Sequence, residues 1–117
     1  MTVVESIVTQ RRIEADKAEL ELLVPADLEY FRGHFSGAPV VPGVVQIKWA
    51  LDFAARYLGV NGAFAGMEAL KFQQVMRPGA RVTLLLHYAA PAHKLHFSYQ
   101  YEQARYSSGR LLLRPMS

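Results

Sequence analysis

The residues best suited to chemistry lie in and just after one short segment, Gly33-His34-Phe35-Ser36-Gly37-Ala38-Pro39-Val40-Val41-Pro42-Gly43. His34 carries an imidazole whose ordinary pKa lies near neutrality, so it can take or give a proton at physiological pH. Its surroundings, Leu28–Pro42, hold too much glycine and proline for a regular element. They are also unusually aromatic for a loop, with Tyr30, Phe31 and Phe35. Ordered loops of this kind often carry function. A lone loop histidine is more commonly a satisfied polar side chain, and that alternative stays open on the residue alone. Gly43 begins the one segment of strong helical character. Unpaired backbone N–H groups and the positive end of the dipole point outward at such a helix start, and glycine lets a ligand approach the main chain closely. Pro42-Gly43 could equally just start the helix. Lys48 lies further along it, and the bland reading makes it a surface lysine paired with Asp52 at i,i+4, an interaction of about 0.2–0.5 kcal/mol.

The elements that must position these groups follow from periodicity. Residues 3–13 are rich in β-branched side chains (Val3, Val4, Ile7, Val8, Thr9, Ile13) and predict a strand. Residues 17–24 alternate, with Ala18, Leu20, Leu22 and Val24 opposing Lys17, Glu19 and Glu21, which predicts a half-buried strand after a turn at Ala15-Asp16. The helix is predicted over Gly43 to Leu58, with Gly59 just past its end. Its apolar residues cover most of its circumference, so it is expected to be buried on most sides. Lys48, Asp52 and Arg56 form its polar stripe, with Gln46 beside it. Residues 63–76 read as a bent strand, Arg77-Pro78-Gly79 as a turn, 81–89 and 93–101 as alternating strands separated by Pro91-Ala92, and 109–114 as a last strand. A helix covered on most sides needs a sheet that curls around it. The expectation is therefore an α+β fold, an antiparallel sheet wrapped around one long central helix, in a single domain over 1–117. A helix-on-sheet sandwich of another topology is the alternative.

Composition narrows the function classes. Of the 117 residues, 51% are hydrophobic and 20% charged, a globular balance in a chain long enough for its own core. There is no cysteine, which excludes disulfides and thiolate metal sites and fits a reducing compartment. The N-terminus lacks the basic start and long apolar run of a secretory signal, and no apolar stretch reaches the roughly 18 residues of a membrane span. A cytoplasmic protein is expected. The net charge of +3 reads as a solvated basic surface or as steering of an acidic partner. Basic residues are scattered, with no run interleaved with aromatics, so nucleic acid is not the expected partner. No metal is expected: His93 and His96 would face opposite sides of a strand, and His87 is assigned to the sheet.

The segment from Gly33 to Ile47 closely resembles the signature of the FabA/FabZ dehydratases of bacterial fatty-acid synthesis, a loop reading G-H-F-P-G-x-P-[IV]-[ML]-P-G-V that runs into a helix. Lys71-Phe72 followed by Arg77-Pro78-Gly79 resembles the same family's strand and P-G-D turn. The resemblance implies a hot-dog fold and a homodimer, or a higher oligomer of dimers, with sheets joined edge to edge and active sites at the interface. It implies dehydration of a 3-hydroxyacyl thioester on acyl carrier protein to the trans-2-enoyl thioester, without metal or organic cofactor. His34 matches the family's catalytic histidine, which removes the α-proton. Gly43 matches the glycine whose N–H holds the thioester carbonyl as charge develops on it. Phe35, Gly37, Val41 and Val44 fall where substrate would be bound.

The pattern breaks at one position that matters. Fourteen residues after the histidine the family carries Glu or Asp on the helix, and this chain carries Lys48. A carboxylic acid of raised pKa can donate a proton to the leaving hydroxyl. A lysine ammonium can also donate, especially if burial lowers its pKa, but its charge and reach differ. Three readings follow. Lys48 serves as the acid, or Asp52 or Glu68 assists through water, or the site is altered and the protein binds acyl thioesters or pairs with an active homologue. An acyl thioesterase is a further alternative on the same fold. Ser36 and Ala80 replace the family's proline and aspartate, and mark a divergent branch. Val44-Val45-Gln46-Ile47 with Trp49 is similar to dehydratases of aryl-polyene or xanthomonadin-type pigment clusters.

Overall fold

The structure is a computed structural model that describes residues 5–26 and 40–115. Strands β1 (Ile7–Glu14) and β2 (Lys17–Leu23) form a hairpin, followed by α1 (Gly43–Leu58) and then β3 (Gly62–Phe72), β4 (Arg81–Ala89), β5 (Lys94–Tyr101) and β6 (Ala104–Pro115). All six strands join one antiparallel sheet in the order β1-β2-β4-β5-β6-β3. All three alternating segments behave as their pattern requires. Ala18, Leu20 and Leu22 of β2, Val82, Leu84 and Leu86 of β4, and Leu95, Phe97 and Tyr99 of β5 point to one face and are buried. Register places Leu20 opposite Leu84, Leu86 opposite Phe97 and Leu95 opposite Leu111, so the apolar rows line up across the sheet.

The helix lies against that apolar face. Val45, Ile47, Trp49, Ala50, Phe53 and Ala54 are its buried apolar residues, and truncating Trp49 or Phe53 to alanine would cost about 3–5 kcal/mol. Its limits are those the sequence predicts. Gly59 adopts the left-handed conformation at φ 66°, and the cap N–H reaches the Ala54 carbonyl, a turn for which glycine carries no Cβ penalty. Two expectations are corrected. The helix of the single chain is buried on one face, not on most sides: Val44 is 72% exposed, and Ala55 and Arg56 are exposed too. Gln46 belongs to the buried face and not to the polar stripe. The apolar residues outnumber what one sheet face can cover.

β3 is bent, as its glycines suggest, with register shifts between Phe64 and Gly66 and between Glu68 and Lys71. The last strand starts at Ala104, five residues before the expected 109, because the turn at Glu102 (φ 51°) lets the chain reverse directly and pair Tyr101 with Ala104.

Candidate functional site

The start of α1 is held by its flanks. The Val41 N–H donates to the Met76 carbonyl at 2.7 Å, and the Val45 and Gln46 N–H groups donate to the Pro42 carbonyl at 3.0 and 3.2 Å. Pro42 occupies the cap position and offers no side-chain acceptor, and the first turn carries no acidic residue. The earliest N–H groups of the helix, those of Gly43 and Val44, therefore have neither an intrahelical acceptor nor a capping side chain. An acceptor oxygen brought there would meet N–H donors and the positive end of the dipole together.

Phe72, at the end of β3, stands over Gly43. A Cβ on Gly43 would lie 2.6 Å from the Phe72 Cζ and 2.8 Å from its Cε1. Only glycine fits under the ring without displacing it. Phe72 as a whole is 49% exposed, so part of the residue faces solvent beside the helix start. Of the other expected binding residues, Val41 is buried in the core and Val44 projects outward at the helix start. His34, Phe35 and Gly37 lie outside the described residues.

Lys48 lies one turn beyond Val44 on the outward stripe. Its Nζ is 2.7 Å from an Asp52 carboxylate oxygen, and the two side chains are 61% and 39% exposed. The i,i+4 pair expected from spacing is thus formed. Glu68, the other carboxylate considered for proton transfer, is ruled out for that task. It lies opposite Arg110 in the β3–β6 register, on the sheet face away from the helix. There it receives hydrogen bonds from Lys94 Nζ at 2.7 Å and Arg110 Nε at 2.8 Å. Those bonds hold its carboxyl below the usual range, so it stays ionised and is no proton donor.

The sheet's outer face holds a pairing that sequence reasoning missed. His87 and His96 are direct cross-strand partners, their rings 5.7 Å apart between centroids, and His87 Nε2 lies 3.3 Å from an Asp16 carboxylate oxygen. Burial, then the neighbouring His87, lowers the His96 pKa. The register of β4 on β5 creates this pair, and no sequence spacing reveals it. Among the described residues no group of three or more His, Asp or Glu side chains is arranged to hold a metal ion.

Comparison with known proteins agrees with the geometry. Residues 10–110 match the family model described as ApeI-like: ApeI dehydratase. An 85-residue segment, 67% of this chain and 58% of the relative, is 34% identical to the 3-hydroxyacyl-[acyl-carrier-protein] dehydratase FabZ of Oenococcus oeni. The chain thus spans somewhat over half the length of that relative. Among solved structures, the dehydratase heterocomplex ApeI:P from Xenorhabdus doucetiae superimposes with a TM-score of 0.88 at 32% identity, over 95% of this chain and 99% of that one. An uncharacterized protein from Erwinia carotovora subsp. atroseptica gives 0.85 at 35% identity, over 96% and 98%.

Proposed function

The chain belongs to the ApeI-like dehydratase family, and on that premise we propose that it removes water from a 3-hydroxyacyl thioester presented by acyl carrier protein, giving the trans-2-enoyl thioester. The observation that carries the proposal is the uncapped helix start at Pro42-Gly43, which follows the histidine motif directly in sequence. His34 takes the α-proton. The thioester oxygen gains negative charge as the C–H electrons move toward the carbonyl, and the Gly43 N–H stabilises it. Those electrons then form the new double bond as the C–O bond to the β-hydroxyl breaks. Lys48 gives that hydroxyl the proton it needs to leave as water. Return of the proton from His34 to Lys48 through solvent restores both groups. Asp52 at 2.7 Å fixes where the Lys48 Nζ sits on the helix. No organic cofactor or metal has a step in this scheme.

The oligomer in this reading is a dimer formed through β3. At one edge of the sheet, β1 presents the exposed Arg11 and Arg12, charges that blunt strand addition. At the other, β3 presents exposed Phe64, Met67 and Phe72, with Val75 just beyond and Val44 on the helix. A second chain there would cover the open flank of α1, complete the wrapping of the helix by sheet, and enclose Lys48. A heteromeric pairing is the second reading. Lys48 stands where the family carries a carboxylate, and the Xenorhabdus structure is described as a heterocomplex. A partner supplying the carboxylate would complete a site to which this chain contributes His34 and Gly43. A cytoplasmic setting, where carrier-protein substrates are made, fits a chain with no membrane-crossing helix among its described residues.

The test is enoyl formation from a 3-hydroxyacyl thioester by the wild type, His34→Ala and Lys48→Ala. Product from the wild type and a fall of about 10²–10⁴ in each variant supports the scheme. No product from the wild type at any chain length sinks it. Unchanged turnover in Lys48→Ala removes Lys48 from the mechanism and favours a partner's carboxylate.

A further inference from the structure

Gln46 is 3% exposed, and every polar atom it has is used. Its backbone N–H donates to the Pro42 carbonyl at 3.2 Å. Its side-chain Nε2 donates to the Val41 carbonyl at 3.2 Å, and its Oε1 accepts from Ser107 Oγ at 2.6 Å. Its backbone carbonyl accepts from the Tyr99 hydroxyl at 2.6 Å. Tyr99 and Ser107 face each other across β5 and β6, and both are buried. Two neighbouring strands thus fasten the first turn of the helix, and the same glutamine ties down the carbonyl immediately before Pro42-Gly43.

An apolar residue at position 46 would fill this space without desolvating an amide, and Phe at 99 and Ala at 107 would fit beside it. Buried polar groups cost free energy unless satisfied, and a satisfied network fixes geometry more than it adds stability. We propose that Gln46, Tyr99 and Ser107 are positioning residues: they fix the main chain from Val41 to Gly43 on the sheet so that the Gly43 N–H keeps one direction toward the reacting oxygen. This rests on the dehydratase reading for its catalytic consequence, but not for its structural one. Burial keeps the Tyr99 hydroxyl protonated far above neutral pH, so it acts as a fixed donor. A donor that is misdirected stabilises the developing oxyanion less while ground-state binding is little altered, so the expected signature is a fall in kcat with KM nearly unchanged.

The experiment compares the wild type, Tyr99→Phe, the double variant Gln46→Leu with Ser107→Ala, and the conservative Ser107→Thr. The double variant removes both ends of the deepest hydrogen bond, so no buried hydroxyl or amide is left facing an empty partner across it. Enoyl formation and the backbone ¹H–¹⁵N resonance and hydrogen exchange of Gly43 are measured on each folded protein. Expected are a tenfold or larger drop in kcat in the double variant, several-fold in Tyr99→Phe, a KM within about twofold of wild type, near-wild-type kcat in Ser107→Thr, and a shifted, faster-exchanging Gly43 amide where kcat falls. If the double variant fails to fold, Tyr99→Phe decides alone. Unchanged kcat and an unchanged Gly43 amide in folded variants overturn the proposal. If the wild type makes no enoyl product, the dehydratase reading fails and the Gly43 amide still decides: a shifted amide supports the positioning role and an unmoved one refutes it.

Discussion

Replacing Gly43 by alanine separates the packing role of that glycine from its chemical one. The added methyl would sit 2.6 and 2.8 Å from two atoms of the Phe72 ring, well inside contact distance, so the ring must move. The obstacle is the far end of a side chain that is 49% exposed, and it can swing toward solvent. The loss is then part of one aromatic contact, about 1 kcal/mol by area, offset by up to about 1 kcal/mol of helix propensity gained over glycine. The melting temperature is therefore expected to stay within about 4 °C of wild type, given roughly 3–6 °C per kcal/mol for a domain of this size. Activity is expected to behave differently. The methyl and the displaced ring both crowd the approach to the Gly43 N–H, and loss of one oxyanion donor lowers kcat about 10²–10³-fold. Thermal unfolding and enoyl-formation kinetics of Gly43→Ala, Phe72→Ala and the double variant complete the measurement. If the double variant, in which the clash is gone, recovers wild-type turnover, then glycine is required only to fit beneath Phe72. Alanine keeps the backbone N–H, so it is wild-type turnover in Gly43→Ala itself, with the methyl and the displaced ring both in place, that would refute the assignment of that N–H to the thioester oxygen.

Lys48→Glu places a carboxylate at this position and is expected to turn over faster than Lys48→Ala, although it sets like charges at i,i+4 with Asp52; equal rates in the same assay would show that a carboxylate here donates no proton. Glu68→Gln is expected to leave turnover unchanged, since its carboxylate lies on the far face of the sheet. Because pairing with Lys94 and Arg110 depresses the Glu68 pKa in the folded chain, its stabilisation is present above the unfolded value of 4.5 and is lost as pH falls through the folded one. Melting temperature against pH should show a shallower acid limb in Glu68→Gln. His96 follows the same sign in a higher window. Its folded pKa lies below 6.5, so the stability it contributes fades as pH drops from there, and His96→Gln should flatten unfolding curves over that range. Met67→Lys puts a charge on the open β3 edge and is expected to shift the protein toward monomer in light scattering; an unchanged mass would place the contact elsewhere.

Much of this molecule is legible without coordinates where the physics is local. Alternation in residues 17–24, 81–89 and 95–101 assigned one face of each strand to the core, because strand side chains have a strict period of two. The limits of the helix followed from Gly43 and Gly59, since capping depends on a few neighbouring residues. The role of the motif around His34 came from its resemblance to a family signature, and His34, Phe35 and Gly37 fall outside the described residues. What depends on register and docking was not legible. Gln46 was read as lying beside the polar stripe, yet the sheet turned it inward onto Ser107 and Tyr99, residues about sixty and fifty positions away. Glu68 looked available for catalysis until pairing with β6 set it beside Arg110 on the wrong face. His87 met His96 only because β4 pairs with β5 in one particular register. Sequence by itself determined which residue types stand near Pro42-Gly43, because chain connectivity places them there. Tertiary structure alone decided that Phe72 covers Gly43 and that two buried hydroxyls hold the helix start, because contacts between distant residues are chosen by the packing of the whole sheet and not by any local spacing.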